Sequence, residues 1–392
     1  MLAGAGAVAL IAAGLRLSLG RSDPDPKPKP SSIAPNPIAK PEKALAAKHS
    51  PTPIERYIPP TATPIQIETP PPTATASPTP TTETLSPLTG LPSDKTIVNR
   101  RPLAIKIGNN PEARPHWGLN EAEIVMEHYT EGGVTRYTAL FQGSDSVRVG
   151  PLRSARLIDI QISQEYQSLF AHVGGSPGVR SALKVLGRLD RDEFFYGSDG
   201  PFFRTGDRVP PENAWVNLLK LRDEVERLGL SPEVNIDSWN YYNSMSEPIN
   251  ARLVIVPAPP MSSETYRSRY QFESGNGKYL KFIGQAPAID GKTGDQISVN
   301  NLIIQTVGHY ITDIEEDSLG NMSLEIQTIG EGKVTVFRDG SVVEGLWKKP
   351  TRDTRTQFFQ NDGSPIQLKR GNSWIHFLPD NETVNWQASL DT

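Results

Sequence analysis

The 392-residue chain contains no cysteine. That absence removes disulfides, thiolate nucleophiles, cysteine-ligated zinc and lipid attachment at a cysteine together. It does not fix a compartment, because an exported protein can manage without disulfides. Charge of one sign is equally lacking: the formal net charge is −4 and the pI about 6.0. No overall field therefore draws the chain to a phosphate backbone, and nucleic acid is not an expected partner. Histidine is scarce, with six in all, and neither an HExxH nor a DxDxDG string occurs. No metal and no cofactor is expected. There is also no fixed-period repeat, and no apolar run of the roughly 20 residues that a full membrane span needs.

The longest apolar stretch is Leu2 to Leu15, closed by Arg16. Its length suits the apolar core of an export signal or signal anchor better than a span or a buried helix, since nothing foldable follows it. No basic segment precedes it, which points to a start further upstream. About half of the 36 prolines then fall between Arg21 and Lys95. With too little apolar surface to repay its ordering, this Pro/Thr/Ser-rich segment reads as an extended, disordered stalk. Stretched out, it would reach on the order of 200 Å. The expected organisation is an export signal or anchor at 1–20 and a linker at 21–87. An α/β domain at 88–245 and a β-rich domain at 246–392 follow.

In the foldable part, Leu103 to Ile107 reads as a strand ending in a Gly-Asn-Asn turn. Residues 123–131 and 134–141 alternate about Gly132-Gly133, the mark of a hairpin with a two-residue loop. That register pairs Glu131 with Val134, Tyr129 with Arg136 and Glu127 with Thr138. It sets Arg136 between Glu127 and Glu131 on one face, with Met126, His128, Tyr137 and Phe141 on the other. The string RSAR follows, with Ser154 as the expected N-cap of a helix whose stripe is Ile158, Ile162, Tyr166, Leu169 and Phe170. Arg153 and Arg156 thus stand at a helix mouth, where the macrodipole favours anions. The carboxylates of the hairpin are the expected compensation. A short strand at His172, a Gly-rich loop at 174–176, a helix from Pro177 or Gly178 and a helix closed by Gly229 complete this half. Beyond Pro248 the texture turns to alternating strands, with turns at Asn276-Gly277, Asp339-Gly340 and Asp362-Gly363. The expected fold class is mixed α/β: a layered mixed sheet with helices, packed on a β-rich unit.

Little of this spells chemistry. GGSPG at 174–178 fits the letters of a nucleophile elbow, but Pro177 after Ser176 removes the N–H that an oxyanion hole needs. Glu127 and Glu131 would lie about 13 Å apart on one strand face, too far for an acid/base pair without inclined side chains. Salt bridging to the arginines is the better expectation.

Together RPLAIKIGNNPEARPHWGL, AEIVMEHYTEGGVTRYTALFQ, VGPLRSAR and HVGGSP resemble the N-terminal domain of the YerB-like family of bacterial lipoproteins. NNLIIQTV, GEGKVTVFRDGSVVEGLWKK and DGSPIQLKRGNSWIHFLP are similar to its C-terminal domain. The resemblance spans about residues 88–388. It implies an exported, anchored protein with two packed α/β domains, and it carries over no catalytic residue. The lipid-attachment cysteine typical of the family is missing, so the apolar N-terminus is the expected membrane contact. These readings lead to a surface-tethered, noncatalytic cell-envelope module, outside the cytoplasm, that binds an envelope polymer or protein. Its candidate anion- or carboxylate-recognising site is Asn109, Asn110, Glu127, Glu131, Arg136, Arg153, Arg156, His172, Gly174, Gly175 and Ser176. The alternatives are an envelope hydrolase or transferase using Glu127 or Glu131 with His172, and a purely structural ion-pair cluster.

Overall fold

A computed structural model describes residues 84–390 apart from 197–199, 245, 246, 261 and 263. The expected export segment, and all but the last residues of the expected stalk, lie outside them. The described chain is a mixed α/β fold with more strand than helix. In its first half are β1 (Leu103–Gly108), β2 (Ile124–Thr130), β3 (Val134–Phe141), β4 (Leu169–His172) and β5 (Asp190–Asp192). The helices are the single turn α1 (Lys95–Val98), α2 (Leu157–Glu165), α3 (Pro177–Leu183) and α4 (Leu218–Arg227).

One sheet of ten strands runs through both halves of the chain. Its order is Gln357–Gln360, Ser341–Lys349, Gly330–Arg338, Asn301–Val307, Ser373–Pro379, β2, β3, β1, β4, β5. The two halves meet where Ser373–Pro379 pairs parallel with β2, Glu127 opposite His376. Alternation along these strands sends one set of side chains to each face. Ala104, Met126, Leu140, Ile303 and Ile375 pack with Ile158 and Ile162 of α2 and with Val179 of α3. Ile105, Val125, Tyr137, Ile304 and Trp374 pack with Val254, Tyr270 and Tyr279 of a second, six-stranded sheet, and with Leu221 of α4. The result is three layers, with α2 and α3 on one face of the long sheet and the smaller sheet and α4 on the other.

The hairpin register differs from the expectation by one residue. The loop holds three residues, Glu131 to Gly133, with both glycines at positive φ (70° and 69°). Thr130 therefore pairs with Val134, His128 with Arg136 and Glu127 with Tyr137. A one-residue slip turns every side chain of a strand to the other face. Glu127, Tyr129, Thr135 and Tyr137 face the second sheet, and His128, Arg136 and Thr138 face the helices. Arg136 thus does not lie between Glu127 and Glu131.

The start of α2 is also later than expected. Arg156, not Ser154, is the N-cap, at φ −134°. Its N–H donates to Asp159, one turn on, at 2.6 Å. The helix ends at Glu165, and Gln167 takes a φ of 49°, so Leu169 and Phe170 belong to β4 rather than to the helical stripe. Other local signals match the structure. α3 begins at Pro177 as expected, Gly229 turns the chain after α4 at φ 61°, and Asp339-Gly340 joins paired Arg338 and Ser341.

Two buried lysines tie α2 to the sheet. Lys106 on β1 meets Asp159 at 2.9 Å with both side chains fully buried, and Asp159 also accepts from Thr138 at 2.6 Å. Lys349, from the other half of the chain, pairs with Glu165. Removing one partner of a buried pair leaves an uncompensated charge, which costs about 3–5 kcal/mol. We expect Asp159→Asn to lower the unfolding free energy by that amount in urea titrations. A loss under about 1 kcal/mol would show that the pair is dispensable.

Candidate functional site

The residues singled out in the sequence divide among three places. Arg153, Arg156, Gly174, Gly175 and Ser176 line one cavity of about 540 Å³, together with Arg180, Phe194, Arg204 and Glu316. It lies at the carboxyl ends of the parallel strands β1, β4 and β5, where ligands of open α/β sheets bind.

The charges in this cavity are unequally spent. Arg156 is buried, donates through Nε and Nη2 to Glu131, and gives Nη1 to the Ala155 carbonyl at 2.7 Å. Glu131 also faces Arg136 at 3.5 Å. Burial pushes the Glu131 carboxyl up, but the Arg156 hydrogen bond and charge win and hold it below its ordinary value. Arg204 forks onto Glu193 at 2.7 and 2.8 Å. Arg153 uses only Nη2, on Glu212 at 2.7 Å and Asn110 at 3.3 Å. Arg180 uses only Nη2, on Asp192 at 3.0 Å, and lies over the Phe194 ring. The side chains of Arg153 and Arg180 are 22 % and 39 % exposed, and their guanidinium groups keep donors for a further partner. Glu316 contributes a fully buried side chain whose oxygens make no hydrogen bond, 3.4 Å from Arg156 Nε.

His172 sits behind the glycine loop with both ring nitrogens occupied, one by the Gly174 carbonyl and one by Asp190, each at 2.8 Å. It stacks on Phe170 and fastens β4 to the start of β5. Asn110 braces Arg153 from outside the cavity lining, and also donates to Glu212 at 2.7 Å.

Asn109 and Glu127 belong elsewhere. Asn109 donates to Thr135 at 2.7 Å, and Thr135 donates to Glu127 at 3.1 Å, on the face of the hairpin away from the helices. There Glu127 meets Lys281 at 3.0 Å, both buried. Lys281 spends its other protons on Ser268 at 2.7 Å and Tyr270 at 2.9 Å, and lies 4.4 Å from the Trp374 ring centroid. Trp374 donates to Glu127 at 3.1 Å. Burial alone would raise the Glu127 carboxyl, yet the charges of Lys281 and His376 and these hydrogen bonds hold it at about 2. The expected association of Glu127 with the arginines is therefore replaced by a separate buried network, a consequence of the register.

Sequence reasoning missed Lys281, although KYLKFI holds the signal: the lysine falls in phase with buried Tyr279 and Ile283. Arg180, Glu212 and Glu316 come from three further segments, and no local pattern joins them to RSAR. Among the described residues, no group of His, Asp and Glu could hold a metal ion, and no helix is long and apolar enough to cross a membrane.

A long sheet shared by two sequence halves, with an arginine-lined cavity at its end, defines a two-part mixed α/β fold, and the comparisons give it a family. The chain belongs to the YerB-like proteins: residues 88–231 match the family described as "Protein of unknown function (DUF3048) N-terminal domain", and 258–375 its C-terminal domain. It is 28% identical over 306 residues to "Putative lipoprotein YerB" of Bacillus subtilis, covering 78% of this chain and 87% of that protein. The crystal structure of the YerB protein from Bacillus subtilis superposes with a TM-score of 0.66 at 26% identity, over 77% of this chain and 99% of that one.

Three histidines bear on pH. Burial, then the Arg114 charge, lowers His116 from 6.5 to about 3. Burial, then Lys106 at 2.6 Å, does the same to His128, and burial lowers His376 to about 3. Because the folded values lie below the unfolded one, the unfolded chain takes up protons first as pH falls from 6.5 towards 3. Stability is full above 6.5 and is lost at roughly 1.4 kcal/mol per pH unit for each such histidine. Glu127, lowered from 4.5 to about 2, adds loss over that lower window. Thermal melts should show a Tm that is level above about pH 7 and falls steeply below about 6. A Tm unchanged down to about pH 4 would contradict the burial of these rings in neutral form.

Proposed function

We propose that the chain is an exported, surface-tethered and noncatalytic cell-envelope protein, and that its arginine cavity binds an anionic segment of an envelope polymer or peptide. One observation carries this reading. Arg153 and Arg180 keep unspent guanidinium donors in the same cavity as Glu316, a buried carboxylate that lacks a hydrogen-bond donor. The arginines suit a carboxylate or phosphate. Glu316 suits a hydroxyl or ammonium beside it, so the ligand carries both an anion and a donor. Exposed Phe194, at 64 %, offers an apolar wall at this cavity. The surface setting is supported by the relative's name as a lipoprotein and by the apolar Leu2–Leu15 segment followed by a Pro/Thr-rich run.

The structural alternative has support for one part of the cluster: Arg156, Glu131 and Arg136 form a buried, mutually satisfied group that braces the hairpin loop against α2. The hydrolase or transferase alternative lacks such support. Glu127 and Glu131 are held as carboxylates, the reverse of what a general acid needs, and His172 has no free nitrogen.

The test is retention of the full chain on cell-wall material bearing carboxylates and phosphates, wild type beside Arg153→Ala/Arg180→Ala. We expect about tenfold weaker retention by variants that remain folded by circular dichroism, and a similar loss for Glu316→Gln. Equal retention by all three proteins would remove this cavity as the binding site.

A further inference from the structure

A second cavity, of about 760 Å³, opens at the opposite edge of the long sheet, where β2, Asn301–Val307 and Ser373–Pro379 begin. Its lining chemistry is unlike that of the arginine cavity. Asn120, Asn276, Gln296, Asn300 and Asn372 line it, with serines and threonines between them. Asn276, Gln296 and Asn372 spend their amides on Glu273 and on the Lys281 and Ser298 carbonyls, while Asn120 accepts from the Ser298 N–H at 3.4 Å and keeps its amide donors. Its glutamates are already engaged: Glu121 pairs with Lys292, and Glu123 accepts from the N–H groups of Gln142 and Gly143 at 2.9 and 2.7 Å. Lys278 and Asp295 remain, one of each sign, so the cavity has no net demand for an anion or a cation.

Asn300 is the decisive residue. It is 8 % exposed, yet its side-chain amide makes no hydrogen bond to any described residue, while its backbone N–H is held by Asn372 at 3.1 Å. Its amide atoms are not shut away from solvent although the residue as a whole is buried, so they are open to something that enters the cavity. Its position depends on Gly371, at φ 133°, where a Cβ would stand 2.2 Å from Asn300 Oδ1. The structure therefore keeps a bare backbone there and lets the amide lie across it.

We propose that this cavity is a binding site for a neutral saccharide. A carboxamide offers a donor and an acceptor on one plane, which matches a sugar hydroxyl or acetamido group that does both. Leu91 and Leu280 supply apolar surface for the C–H faces of a ring. The volume lies within the roughly 300–1,000 Å³ usual for small-ligand sites. A phosphate or nucleotide is disfavoured, since among the described residues Lys278 is the only cation lining the cavity and no aromatic ring lines it. This site is independent of the arginine cavity, and either can stand without the other.

The test is calorimetric titration of the full chain with two neutral tetrasaccharides, one of N-acetylglucosamine and one of glucose, and with inorganic phosphate. Saturable binding of at least one saccharide is expected, weakened about tenfold or more by Asn300→Ala and by Asn120→Ala at unchanged Tm. Arg180→Ala should leave saccharide binding as in the wild type, which separates this site from the arginine cavity. The inference is overturned if neither saccharide binds at millimolar concentration, or if binding survives both amide variants undiminished. It is also overturned if phosphate binds and is lost in Asn300→Ala.

Discussion

The buried pair of Glu127 and Lys281 sets the terms on which the rest of the structure assembles. Taking an ammonium and a carboxylate out of water costs several kcal/mol per ion, and only complete hydrogen bonding offsets it. Lys281 achieves this with Glu127, Ser268 and Tyr270, and the carboxylate is further held by Thr135 and Trp374. These groups come from the β2–β3 hairpin, from the second sheet and from Ser373–Pro379. A hairpin slipped by one residue, or a second sheet docked elsewhere, would leave the ions unpaired. The pair thus selects one register and one way of stacking the sheets.

That selection places the arginine cavity. With Glu127 turned to the second sheet, Arg136 must face α2, where it joins Glu131 beneath Arg156. Arginines near a helix start oppose the macrodipole by well under about 1 kcal/mol, and a paired acid offsets this readily. Arg156 serves as that anchored end. Arg153, three residues earlier and held at one nitrogen, is aimed into the cavity beside Arg180. RSAR is therefore a brace at Arg156 and, under the proposed function, a ligand contact at Arg153. The braces on the helix side, Lys106 to Asp159 and Lys349 to Glu165, hold α2 to strands from both halves of the chain.

Much of the fold was legible locally. The start of α3 at Pro177, the turn at Asp339-Gly340 and the Gly229 terminus rest on residue chemistry within a few positions, and they match. The hairpin failed at its loop, because Glu131-Gly132-Gly133 and Gly132-Gly133 are both reasonable turns by composition. Only the buried partners of Glu127, some 150 and 250 residues away, decide between them. The same distance hid the site's other members. RSAR and the glycine loop stand out because they break local rules, whereas Glu212 and Glu316 look like ordinary surface acids until the fold brings them in. Lys281 was readable in principle as a lysine in the buried phase of an alternating strand, and Lys106 as a lysine inside an apolar strand buried on both faces. They would have signalled internal acids on both faces of the hairpin.

A double-mutant cycle on Glu127 and Lys281 tests this account most directly, with Glu127→Leu, Lys281→Met and the double variant compared by urea unfolding. The account predicts that each single change costs about 3–5 kcal/mol, and that the double variant is no worse than either single one, because it buries no orphaned charge. Losses that simply add, or single losses below about 1 kcal/mol, would contradict the claim that this pair governs the assembly of the two sheets.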